Sequence, residues 1–260
     1  MEIKQPYGGV LIKASKLLTI LSDYHTDKAG LTLTEIAEKA SFTPSTTLKI
    51  LDTLLLIGYV HKNEELKTYT LGARLARFGN QYLHESELIR IARPYLNQLH
   101  QEVDETIHLG LLENNQIVYL DKLEPERQTI VMSSRIGNTR PLYGSAMGKA
   151  VLAVMDDKKM TKYIEQVDIK VYTPNTILDK SELLEEIEKV KETALAYDNE
   201  ELEKDCFCIG MSLPMGNNEY GAFSVSLPKF RATPEEIDRI STLMKETQKN
   251  IIKLLQKEGE

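Results

Sequence analysis

The stretch Gly144-Ser145-Ala146-Met147-Gly148-Lys149 has the residue types of a phosphate loop. One residue is missing between its glycines, and Ala150 stands where a magnesium-binding hydroxyl is needed, so a nucleotide site is rejected. Ser145 instead reads as the N-cap of a helix whose first amides can hold a small anion such as a carboxylate. An ordinary capped helix explains the segment equally well. Cys206 and Cys208 sit two apart in a run that reads as a strand, where alternate residues share a face. Two thiols without a nearby second ligand pair do not complete a zinc site, which leaves structural or pocket-lining roles. The five histidines, His25, His61, His84, His100 and His108, show no HxxxH or HxH spacing, and none is assigned to a metal. Asp198, Glu200 and Glu201 could do acid–base work only in a cleft that shifts their pKa values, and a solvated loop is the simpler expectation. Ser224 and Ser226 place two hydroxyls on one strand face, where they either donate to a polar ligand or meet solvent. No catalytic residue, metal or cofactor is assigned.

The chain that must position these groups has 260 residues, enough for one large or two modest domains with a real core. A composition of 42% hydrophobic and 27% charged residues is that of an ordinary globular protein. Two cysteines cannot frame a small disulfide fold and point to a reducing cytoplasm. No apolar run approaches a membrane span, and the first residues lack a signal-peptide pattern, so a cytoplasmic protein without a membrane partner is expected.

From Glu105 onward the pattern alternates. TIHLGLLENNQIVYLDKLE reads as a hairpin turning at Glu113-Asn114-Asn115, and TIVMSS as another strand. A strongly amphipathic helix then runs to about Tyr197. CFCIGMSLPM and YGAFSVSLP follow as two strands separated by Gly216-Asn217-Asn218. Thr233-Pro234-Glu235-Glu236 is a capping box opening a last helix to about Leu255. Antiparallel hairpins with helices between them imply an α+β domain.

Ahead of it, residues 10–22 read as an amphipathic helix on Ile12, Leu17, Leu18 and Leu21. LTLTEIAEKA reads as a short helix capped by Thr34. A further helix begins with Thr43 as N-cap and Pro44 in its first position, and Gly58 stops it. Its apolar stripe is taken as Leu48, Leu51 and Leu55, widened by Ile50 and Leu54. That leaves Ser45, Thr46, Thr47 and Lys49 for a polar face. YVHKNEELKTYTL completes the head with a hairpin. Three helices and a hairpin in about seventy residues is the winged helix-turn-helix, which lays a short polar helix face in a DNA major groove. A small helical domain that binds protein is the alternative. Residues 1–78 carry ten Lys and Arg against eight Asp and Glu, while the remainder carries 22 against 31. A mildly basic head on an acidic body fits a protein in which only the head meets phosphate, despite the overall −7. Residues 72–101 between the two parts read as helices interrupted at Pro94, with a surface suited to pairing two copies.

With these pieces in order, the chain resembles the IclR family of bacterial transcriptional regulators. LTLTEIAEKASFTPSTTLKILDTLLLIGYV and YTLGARLARFG look like that family's winged head. ETIHLGLLENNQIVYLDKLE, SRIGNTRPLYGSAMGKAVLA, AYDNEELEKDCFCIGMSLP and GAFSVSLP look like landmarks of its effector domain. The resemblance implies a winged helix-turn-helix domain over 1–72, linker helices and a dimer surface over 73–102, and a GAF-like effector-binding domain over 103–260. It implies a homodimer or dimer of dimers on double-stranded operator DNA, controlled by a small organic-acid effector. The DNA-contacting residues are then Thr43, Ser45, Thr46, Thr47, Lys49 and Lys62. Carried over by position, effector contacts fall on Ala146, Met147, Asp198, Cys208, Ser224 and Ser226, with Ser145 capping the helix that presents the first two. The family commonly has a basic residue where Pro44 stands and a polar one where Leu48 stands. Base readout therefore falls to the hydroxyls beside Lys49.

Overall fold

The computed structural model describes residues 7–24, 29–128, 130, 132–216 and 219–258. They form two compact units, Met1–Glu85 and Ser86–Glu260, each with its own core. The break falls inside the stretch between head and body that reads as linker.

In the smaller unit, α1 (Gly9–Ser22), α2 (Leu33–Ala40) and α3 (Pro44–Leu56) pack around Leu17, Ile36, Leu51 and Leu54. Two-residue β1 (Leu31–Thr32) joins β2 (Val60–Asn63) and β3 (Thr68–Leu71) in the order β1-β3-β2, and α4 (Arg74–Glu85) follows. Ile12, expected in the core, is exposed on the first half of α1, which buries only Leu17 and Leu21 fully.

The cap of α2 is Thr32 and not Thr34, because only Thr32 has a glutamate three residues on. Its Oγ1 accepts from the Glu35 amide at 3.3 Å, while the Glu35 carboxylate accepts from the Thr32 amide at 2.8 Å. Helix α3 begins as expected, with Thr43 Oγ1 accepting from the Thr46 amide. It ends where Gly58, at φ +75, lets the amides of Tyr59 and Gly58 reach the carbonyls of Leu54 and Leu55. Its inner face is Thr47, Ile50, Leu51 and Leu54, one position round from the stripe read in the sequence. Thr47 tolerates burial because its hydroxyl donates to the Thr43 carbonyl at 3.1 Å, and Leu48 is left 38% exposed. At the wing tip, Asn63 Oδ1 accepts from the amides of Glu65 and Leu66.

The larger unit begins with α5 (Glu87–Val103), capped by Ser86 and running unbroken through Pro94. Pro94 lies exposed on that helix. The sheet is built from β4 (Thr106–Glu113), β5 (Gln116–Leu123), β6 (Thr139–Pro141), β7 (Ala196–Asn199), β8 (Cys206–Gly216) and β9 (Glu219–Pro228). It is antiparallel throughout, in the order β6-β5-β4-β9-β8-β7. Asn114 and Asn115 both take positive φ between β4 and β5, as a two-residue hairpin needs. Helices α6 (Ala146–Val154), α7 (Asp157–Gln166) and α8 (Lys180–Thr193) lie between β6 and β7, and α9 (Pro234–Glu258) closes the chain.

Several expectations for this unit change. Helix α7 has no counterpart in the sequence reading. Ile130, Met132, Ser133 and Ser134 of the TIVMSS segment are not in a strand, and Thr129 and Val131 lie outside the described residues, as does Asn217-Asn218 in the β8–β9 connection. Helix α8 stops at Thr193, where Ala194 takes φ +62, and residues 196–199 become a strand. Thr233 caps α9 through the Glu236 amide, but the Glu236 carboxylate pairs with Arg239 instead of returning to the cap.

Helix α6 packs on β8 and β9, and residue 210 fixes how closely. A Cβ on Gly210 would stand 2.4 Å from the Ala146 carbonyl carbon. Since the obstacle is backbone, Gly210→Ala is expected to destabilise the larger unit by about 1–3 kcal/mol. Urea unfolding checks this, and an unchanged midpoint would show that α6 can lift without cost.

Candidate functional site

Alternation along β9 sends Ala222, Ser224 and Ser226 to the face covered by α6, while Gly221 faces Leu88 of α5 on the other side. Register brings Cys208 beside Ser226 on one side and Asp198 on the other. Above this face stands the start of α6. Ser145 Oγ donates to the Pro141 carbonyl at 2.7 Å and accepts from the Gly148 amide at 3.1 Å, so its hydroxyl is committed to the cap. The amides of Ala146 and Met147, in the first turn, have no intrahelical acceptor.

Ser145, Ala146, Met147, Asp198, Cys208, Ser224 and Ser226 all line one cavity. Five further lining residues carry chemistry that the sequence pattern did not bring to this place: His108, Tyr119, Ser134, Arg140 and Glu203. His108 Nε2 is 2.6 Å from Ser134 Oγ and its Nδ1 is 3.4 Å from Ser226 Oγ. Its ring stacks on Tyr119 at 4.5 Å. Burial, with the charges of Lys122 and Arg140, pushes its pKa down to about 3, so it is a neutral hydrogen-bonding group. Arg140 on β6 donates to Glu203 at 2.6 Å and lies over the Tyr119 ring. Strand alternation would have placed His108 on this face had the β4–β9 pairing been known, since His108 stands opposite Ser224. Arg140, in a three-residue edge strand, gave no periodic signal.

Asp198 is not in a solvated loop. It is buried on β7, accepting from the Glu201 amide at 2.7 Å. Glu201 is in turn paired at 2.5 Å with Lys149 of α6, whose side chain is 1% exposed. Burial first, and the Glu201 charge second, raise the Asp198 pKa to about 7. Burial also raises that of Glu201, against the opposing pull of Lys149. Among the described residues, no three His, Cys, Asp or Glu side chains gather as a metal site would require.

In the smaller unit, Thr43, Ser45 and Lys49 are exposed on α3, Thr46 is half-buried, and Thr46 Oγ1 accepts from the Thr43 hydroxyl. Thr47 departs from the expected set: fully buried and bonded within its helix, it cannot reach a base edge. Lys62 of the wing donates to Glu64 at 2.8 Å, and His61 beside it is exposed.

The family model for the C-terminal domain of the bacterial IclR transcriptional regulators matches residues 80–253, and that for the IclR helix-turn-helix domain matches residues 10–64. The chain belongs to the IclR family. It is 32% identical over 216 residues to the transcriptional regulator KdgR of Escherichia coli, covering 82% of this chain and 81% of that one. The crystal structure of the Thermotoga maritima IclR superposes with a TM-score of 0.72 at 31% identity, covering 96% and 99% of the two chains. An IclR homologue from Microbacterium hydrocarbonoxydans, solved with 4-hydroxybenzoate, shares the fold with a TM-score of 0.75 at 19% identity, over 95% and 99%. This IclR-family chain is therefore a DNA-binding transcriptional regulator with an N-terminal helix-turn-helix and a C-terminal α+β domain. Among its described residues, no helix is long and apolar enough to cross a membrane.

The raised pKa of Asp198 carries a pH signature. The folded chain holds that proton more tightly than the unfolded one, so the group's contribution is full below about pH 4 and is lost as the pH rises towards 7. Asp198→Asn should therefore lose less stability than the wild type from about pH 5 to about pH 8. Parallel pH profiles from chemical unfolding would contradict the assignment.

Proposed function

We propose that this regulator represses a catabolic operon, and that a small hydroxy- or keto-acid, sugar acids included, releases it by occupying the cavity beneath α6. One observation carries the reading: unlike polar groups from separate strands and one helix end converge on a single cavity. The first-turn amides of α6 and the Arg140 guanidinium suit a carboxylate. The hydroxyls of Ser224 and Ser226, neutral His108 and a protonated Asp198 suit hydroxyl and keto oxygens. The 4-hydroxybenzoate held by the Microbacterium relative is itself a hydroxylated carboxylic acid.

On the DNA side, Ser45 and Thr46 read base edges or phosphate, Thr43 and Lys49 hold phosphate, and Lys62 approaches the backbone from the wing. So lightly charged a helix needs two heads on one operator, hence a homodimer or a dimer of dimers. The ligand acts only if it binds the arrangement off the operator more tightly than the one on it.

A thermal-shift screen of small carboxylic acids tests the cavity, since a ligand of the folded state raises its melting temperature. Asp198→Ala and Arg140→Ala should each remove the shift while leaving operator affinity intact. If the shift persists in both variants, the ligand is somewhere else. In mobility-shift titrations, Lys49→Ala should weaken binding to every duplex and lower the salt slope by about one. Thr46→Ala should change sequence preference, whereas Thr47→Ala should act through stability alone. Salt-independent retardation of DNA would overturn the α3 assignment.

A further inference from the structure

Three sulfur atoms meet at the wall of the same cavity, and the acid site proposed above uses none of them. Cys206 and Cys208 share the cavity face of β8, with their Sγ atoms 3.7 Å apart and both thiols free. Met132, from the segment between β5 and β6, brings its Sδ to 3.6 Å from Cys206 Sγ. Two thiols and a thioether from well-separated parts of the chain are a donor set for a soft cation, since hard and borderline ions gain little from a thioether. Metal–sulfur bonds of about 2.3 Å in a trigonal plane set the sulfurs about 4 Å apart, close to the 3.7 and 3.6 Å that separate Cys206 Sγ from the other two. Zinc lacks the four nitrogen, oxygen or thiolate ligands it prefers, because no third His, Cys, Asp or Glu among the described residues joins the pair.

A disulfide switch fits less well. A spacing of two residues on one strand puts the Cα atoms about 6.7 Å from each other, at the far end of the range a disulfide spans.

We propose that Met132, Cys206 and Cys208 form a site for one Cu(I) ion in the cavity wall. Binding makes two copper–thiolate bonds and one copper–thioether bond, releases two protons to solvent, and leaves the oxidation state of the metal unchanged. The resulting single negative charge lies on the cavity that Arg140 also lines.

Anaerobic titration of the full chain with the Cu(I)–bicinchoninate complex tests this through loss of the complex's visible colour. One copper per chain should be withdrawn from the chelator, and X-ray absorption of the loaded protein should show a shell of three sulfurs. Cys206→Ser and Cys208→Ser should abolish withdrawal. Met132→Leu, with its circular dichroism unchanged, should weaken it by at least about tenfold. Copper left with bicinchoninate by the wild-type chain would overturn the site. So would full affinity in Met132→Leu, which reduces it to a thiol pair, or equal affinity for Zn(II), which removes its softness.

Discussion

The close approach of α6 to β8 is the constraint on which the cavity depends. Backbone meets backbone at Gly210 and Ala146, so the first turn of the helix rests on the sheet without an intervening layer of side chains. That contact sets the height at which the Ser145-capped amides stand over the hydroxyl face of β9. A bulkier residue would raise the helix end, widen the space beneath it, and separate the amides from Ser224 and Ser226. The polar groups of the site therefore owe their convergence to an apolar, steric fact about one position.

The same helix carries a second constraint. Lys149 is buried one turn beyond the cap, and its partner Glu201 hydrogen-bonds through its own amide to Asp198. Two carboxylates and one ammonium removed from water do not balance, and an isolated buried charge is expensive. One Glu201 oxygen has no hydrogen-bond partner among the described residues, and the Asp198 proton restores neutrality. With the Asp198 carboxyl raised to about 7, that part of the cavity wall switches between acceptor and donor near neutral pH.

Much of this was legible wherever the signal is local. Thr43-Pro44, Ser145, Asn114-Asn115 and the Ser224–Ser226 alternation each encode their geometry within a few residues, and each is found as read. The failures come from information held elsewhere in the chain. Position 47 or 48 of α3 could equally continue an inward stripe, and Thr47 reads as polar although a backbone carbonyl satisfies its hydroxyl. Thr32 is hard to read as a cap because it also ends β1, which at two residues has no period of its own. Asp198 looked like a loop residue because Ala194, with nothing to mark it as a left-handed stop, ends α8 early. His108 and Arg140 join the cavity only through strand pairings that no local pattern contains.

The two faces of β9 are occupied differently. Ser224 and Ser226 look into the cavity, while Gly221 on the opposite face lies against Leu88, next but one to the Ser86 cap at which the larger unit begins. The wall between the cavity and the root of α5 is thus a single strand thick. Any displacement of β9 therefore moves two things together, the hydroxyl face of the cavity and the seat of Leu88.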